Sequence, residues 1–198
     1  MKLYDMELSG NCYKVRLLLS LLDVDYEQVA VDLLNGEQKS AEYLAISPKG
    51  QVPALDDGGT VINDSQAILV YLAQKLKAEQ YWPADAATQA QISYWLFTTA
   101  NEIAHGPCAA RLVKLFGADI DYESAKARAY AVFDLMEAHL AEREFLVGSR
   151  ATLADIAAFP YIALSGDGGL SLADYPNIGR WLARIKALPN FVGMPGVS

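Results

Sequence analysis

Lys2 to Leu8 reads as a short strand, and after Ser9-Gly10-Asn11, which supplies turn and helix-start chemistry, Val15, Leu18, Leu19 and Leu22 recur at helical spacing. Tyr26 to Leu33 returns to the alternation of a strand, so the pattern predicts a βαβ unit with parallel strands and a right-handed crossover. A less regular helical stretch around Ser40 to Ile46 ends at the breaker Ser47-Pro48-Lys49-Gly50. Val52 to Leu55 and Val61 to Asn63 are extended in pattern, and Asp56-Asp57-Gly58-Gly59 joins them, which predicts a hairpin. Ser65 is placed to cap a helix whose apolar positions are Ile68, Leu69, Tyr71 and Leu72.

Beyond Leu76 the texture changes. Residues 77–85 are polar and contain Tyr81-Trp82-Pro83, and every later pattern is helical. Ile92, Trp95, Leu96, Thr99 and Ile103 predict one long helix, and Ala129, Val132, Phe133, Met136 and Leu140 a second. Thr152 to Leu164, opened by a capping box with Asp155 in the place of Glu, and Ile178 to Leu188 predict two more. The expected organisation is an α/β domain over residues 1–76, a linker at 77–85 and an all-helical domain over 86–198.

Composition narrows the class. The 198 residues are 53% hydrophobic and 20% charged, as a folded globular chain requires. A net charge of −8, with the basic residues scattered, argues against a nucleic-acid or anionic-membrane partner. Two cysteines, Cys12 and Cys108, are too few for a disulfide scaffold, and their spacing fits no zinc motif. His105 and His139 lie too far apart to suggest a metal site. With charged residues from Lys2 onward and no long apolar run, a cytoplasmic protein is expected.

Three places can carry chemistry. An X-Pro bond at Val52-Pro53 can be cis, which would turn the N–H and C=O of Val52 toward a peptide-like ligand; an ordinary trans proline is the alternative. Asp64 and Ser65 lie where a hairpin strand runs into a helix, so Ser65 can offer hydroxyl and N–H to a carboxylate while Asp64 meets an ammonium, or Ser65 can simply cap. Ser9, Asn11 and Cys12 stand at the junction of first strand and first helix, where a hydroxyl or amide can donate to a bound anion, or Cys12 can itself be a nucleophile.

The segments "SGNCYKV" and "GQVPALDDGGTVINDSQAILVYL" resemble the amino-terminal half of cytosolic glutathione transferases, and "FLVGSRATLADIAAFPYIA" resembles their carboxy-terminal half. The resemblance covers nearly the whole chain. It implies a thioredoxin-like βαβ-ββα domain that binds glutathione, a helical bundle that lines an electrophile site, and a homodimer. Ser9 matches the activating serine of theta-like members, whose motif reads Ser-x-Pro-Cys; Asn11 in place of proline instead resembles Nu-like bacterial members, in which an asparagine also approaches the sulfur. Cys12 aligns with a non-catalytic cysteine of the first helical turn. Glutathione, the co-substrate, is then expected on Lys39, Gln51, Val52, Pro53, Asp64 and Ser65. Tyr94, Thr98, Asn101 and His105, one polar face of the long helix at i, i+4, i+7 and i+11, are expected beside a small electrophile. The activity implied is conjugation of the glutathione thiol to a hydrophobic electrophile. Glutathione-dependent disulfide or peroxide reduction and a non-catalytic binding module are the alternatives.

Overall fold

A computed structural model describes residues 1–198, which divide into two units: Met1–Ala78 with Pro189–Gly196 and Ser198, and Glu79–Leu188 with Val197. In the first unit β1 (Lys2–Asp5), α1 (Gly10–Leu21) and β2 (Glu27–Ala30) form the βαβ motif. A 3-10 turn at Glu37–Lys39, α2 (Ala41–Ile46), β3 (Ala54–Asp57), β4 (Thr60–Asn63) and α3 (Ser65–Lys75) follow. The strand order is β2-β1-β3-β4, parallel between β1 and β2 and antiparallel elsewhere. The α/β class with a parallel pair and a hairpin is therefore as the periodicity predicts.

β1 and β2 are shorter than the pattern suggests, while β3 and β4 run further into the turn between them. β1 stops at Asp5 because the chain turns at once, Ser9 donating its N–H to Met6 O at 2.9 Å. Asp5 is buried and accepts Arg16 Nη1 on both oxygens at 2.5 and 2.7 Å, which ties the strand end to α1. The hairpin turns on two residues rather than four: Asp57 pairs with Thr60, and Gly58 and Gly59 take φ of 61° and 93°. Both sit in the left-handed region that glycine alone enters freely, which is why the pair stands there. Leu3 and Leu55 of the sheet, Val15, Leu18 and Leu19 of α1, and Ile68, Leu69 and Leu72 of α3 are wholly buried, each contributing about 1.5–3 kcal/mol of transfer free energy.

Residues 189–196 do not stay with the helical region to which the sequence pattern assigns them. Tyr13 donates its hydroxyl to Val192 O at 2.6 Å and Ser20 its hydroxyl to Asn190 O at 2.8 Å, so this segment packs on α1 of the first unit.

The second unit is all helix: α4 (Ala86–Thr98), a π-helical stretch Thr99–Cys108, α5 (Ala109–Phe116), α6 (Tyr122–Leu140), α7 (Leu153–Ala163), a 3-10 turn Ser165–Gly168 and α8 (Pro176–Lys186). The α6 stripe Ala129, Val132, Phe133, Met136 and Leu140 is buried as its spacing predicts, and so is Trp181 of α8. The long helix keeps going past Ile103 but changes pitch at Thr99. Pro107 has no N–H for an α-type bond, and Gly106 lies so close to α6 that an added Cβ would fall 2.9 Å from Ala129 N and 3.0 Å from its Cα. Those are backbone atoms, which cannot swing aside. Gly106→Ala is accordingly expected to lower unfolding free energy by about 1–3 kcal/mol, read from a urea titration, whereas Gly179→Ala, with open space at its Cβ, should not. No helix is long and apolar enough to cross a membrane.

Candidate functional site

The start of α1 is built by Ser9, its N-cap, whose Oγ accepts the N–H of Cys12 at 3.3 Å. A hydroxyl that accepts still has its own hydrogen to give, so capping leaves Ser9 able to donate to an anion in front of the helix. Asn11, half-buried in the first turn, takes a hydrogen bond on Oδ1 from the ammonium of Lys14 at 2.7 Å. Cys12 has no exposed surface. Burial, with the carboxylate of Asp5 adding to it, pushes its pKa up to about 12, against the smaller opposing pull of Ser9.

The start of α3 comes next to it. Asp64, not Ser65, is the N-cap: its Oδ1 accepts Gln66 N at 2.9 Å and Ala67 N at 3.1 Å, while its second oxygen accepts nothing within the chain. Its φ of 80° with ψ of 128° is an unfavourable backbone position for a residue with a Cβ. Ser65, expected as the cap, is instead the first helical residue; its buried hydroxyl is within hydrogen-bond reach of Gln66 Oε1 and lies 3.4 Å from Asn11 Oδ1. The two helix starts therefore meet, side chain to side chain, through Asn11 and Ser65. Two helix amino termini presented together favour an anion.

The Val52-Pro53 bond is cis. The residue pair lies one step beyond the Ala54–Asn63 pairing of the hairpin, opposite Asp64, and neither the N–H nor the C=O of Val52 is paired within the chain. The backbone just before it is pinned. Gln51 O accepts Tyr43 Oη and Ser47 Oγ, each at 2.9 Å, from two buried residues. The Gln51 side chain is exposed, as is Lys39 at the end of the 3-10 turn. Gly50 brings that turn close, since a Cβ there would lie 2.8 Å from Gln38 O. Tyr43 and Ser47 support this backbone and Lys14 the start of α1, and sequence motifs do not single them out. Lys14 has one signal, standing four residues before Leu18 on the apolar stripe of α1.

The polar stripe of the long helix is not a single face. Tyr94 and Thr98 are on α4, but Asn101 and His105 follow the change to π pitch, which alters the angular step between them. Thr98 is buried and turns its hydroxyl back to Tyr94 O at 3.0 Å, while Tyr94, Asn101 and His105 are exposed. His105 Nδ1 lies 2.8 Å from Asn101 O, an acceptor only, so that nitrogen carries the proton. Thr98 is thus the one member of the expected set whose side chain is buried.

Comparison with known proteins extends over nearly the whole chain. Residues 3–80 match the model of the glutathione S-transferase N-terminal domain, and residues 103–189 that of the glutathione S-transferase C-terminal domain. Glutathione S-transferase 3 of Zea mays is 35% identical, with 96% of this chain and 91% of that protein covered. The crystal structure of a glutathione S-transferase from Pseudomonas fluorescens superposes with a TM-score of 0.91 at 34% identity over 98% of both chains. A glutathione transferase homologue from Drosophila mojavensis, solved with bound glutathione, gives a TM-score of 0.86 at 28% identity, over 95% of this chain and 88% of that one.

Proposed function

Because the chain belongs to the glutathione S-transferase family, we propose that it binds glutathione across the joined starts of α1 and α3 and activates its thiol for attack on a small hydrophobic electrophile. The observation that carries this reading is the meeting of Ser9 and Asn11 with Asp64 and Ser65 through the Asn11–Ser65 contact of 3.4 Å. The γ-glutamyl group carries one anion and one cation. Its carboxylate suits the Ser65 hydroxyl and the start of α3, and its ammonium suits the free oxygen of Asp64. The cysteinyl backbone is a peptide, and Val52 offers it an unpaired N–H and C=O in strand fashion beside Pro53. Lys39 and the Gln51 amide are the donors proposed for the glycine carboxylate.

The cysteinyl sulfur then lies before α1. A thiol of pKa ~8.5 needs only about 1.4 kcal/mol in favour of the thiolate for each unit of lowering. One hydrogen bond to an anion is worth roughly 1.5–3 kcal/mol, so the Ser9 hydroxyl, helped by the Asn11 amide and the helix start, suffices without a general base. Tyr94, Asn101 and His105 remain proposed contacts for the electrophile. A cytoplasmic detoxification enzyme acting as a homodimer completes the proposal; Phe97 of α4, 72% exposed, is apolar surface that a second copy would cover. A monomer mass by light scattering would remove that last part.

The test is conjugation. Glutathione should be consumed against at least one of a panel of aryl halides, epoxides and enones. Saturable glutathione binding with only background turnover across the panel would count against a transferase and for a binding module. Disulfide chemistry through Cys12 would require a thiolate near neutral pH, which a wholly buried thiol with its pKa at about 12 does not supply. Cys12→Ala is therefore expected to leave conjugation unchanged, and loss of activity in a folded variant would restore a role for that cysteine.

A further inference from the structure

Lys14 is the one lysine of α1, and it is 1% exposed. A lysine that merely solubilised the helix would run its stem along the surface and leave its head in water. Here the ammonium is inside, 2.7 Å from Asn11 Oδ1, in the first turn that the proposed function places before the sulfur. An ammonium has hydrogens and no acceptor, so only the oxygen of the Asn11 amide can face it. Ser65, 3.4 Å from the same oxygen, is on that side as well. With the oxygen held by the Lys14 ammonium, the NH2 end of the amide is directed away from it. An asparagine free to rotate would present either end to a ligand; this one presents donors.

We infer that Lys14 is a positioning residue for the bound glutathione thiolate: its buried ammonium holds the Asn11 oxygen, so that the Asn11 NH2 group is offered to the sulfur as a hydrogen-bond donor. The role requires that glutathione binds with its sulfur before α1, so it rests on the function proposed above. Lys14 does not touch the sulfur itself. Its charge also polarises the amide it holds, strengthening the donor.

The experiment titrates the thiol of bound glutathione by its thiolate ultraviolet absorbance in wild type, Lys14→Met, Asn11→Ala and the double variant, with glutathione affinity measured alongside. Lys14→Met is expected to raise the bound-thiol pKa by about one unit with affinity little changed. The double variant should rise no further than Asn11→Ala alone, because Lys14 acts through Asn11. Should Lys14→Met not fold, Lys14→Gln, neutral and of similar length, no longer enforces the orientation and should shift the pKa in the same direction. A lowered wild-type pKa that either folded Lys14 variant leaves in place overturns the assignment to Lys14, as do additive effects of the two single changes. A wild-type bound thiol that titrates as free glutathione does is a different failure, since it removes the proposed function and Lys14's part with it.

Discussion

Asp155→Ala is expected to lower the thermal unfolding midpoint by about 10 °C, a larger loss of stability than that expected of Gly106→Ala. Asp155 has no exposed surface and gathers donors from three segments. Leu146 N reaches one oxygen at 2.8 Å and Trp181 Nε1 of α8 the same oxygen at 2.9 Å, while Thr152 N lies 2.8 Å from the other, with Thr152 Oγ1 at 3.2 Å. Burial raises the carboxyl's pKa and these donors act against the rise. Alanine removes the acceptor and keeps the donors buried, which costs roughly 1–3 kcal/mol for each group left unsatisfied and about 3–5 kcal/mol in all if neighbours partly relax. Thr152→Ala, losing the cap and one of the four donors to Asp155, should cost about 1–2 kcal/mol. Circular dichroism melts of both variants check the ordering, and equal midpoints would show that Asp155 is no hub.

The largest effect on substrate binding is expected at Asp64. Asp64→Asn should weaken glutathione binding by about 10–100-fold while leaving turnover at saturation nearly intact. Asparagine tolerates a positive φ and keeps an oxygen for the N–H groups of Gln66 and Ala67, so the start of α3 survives. What is lost is the negative charge facing the γ-glutamyl ammonium. An interaction present equally before and during reaction raises KM without lowering kcat. A glutathione analogue lacking that amino group supplies the control: wild type and Asp64→Asn should bind it equally. A difference that persists with the analogue would locate the loss elsewhere.

How much of this is legible in the sequence depends on how local each cause is. The βαβ motif, the hairpin and the α6 stripe follow from period and turn residues, which need no knowledge of partners. The cis bond at Pro53 and the donors at Ser9 and Asn11 can be nominated because a few adjacent residues define them. The cap of α3 lies one residue earlier than the sequence suggests, since Asp64 and Ser65 are both good caps and only the contacts decide, Asp64 Oδ1 taking the N–H groups of Gln66 and Ala67. Three other features depend on contacts far along the chain. Gly106 against Ala129 and the π pitch before Pro107 bend the expected electrophile stripe, and residues 189–196 return to α1 through Tyr13 and Ser20. Lys14 is hidden by its type, because a lysine between apolar positions is ordinarily taken for surface until its head is seen inside.

Ser9 is expected to make bound glutathione a better nucleophile by favouring its thiolate. A pH titration of the bound thiol in wild type and Ser9→Ala tests it most directly, since absorbance reports ionisation whatever the electrophile. The wild-type value is expected at least about one unit below the free thiol, and Ser9→Ala should recover most of that difference while still binding glutathione. A bound thiol that ionises at its free pKa in wild type, or one whose lowered pKa is untouched by Ser9→Ala, would contradict the account.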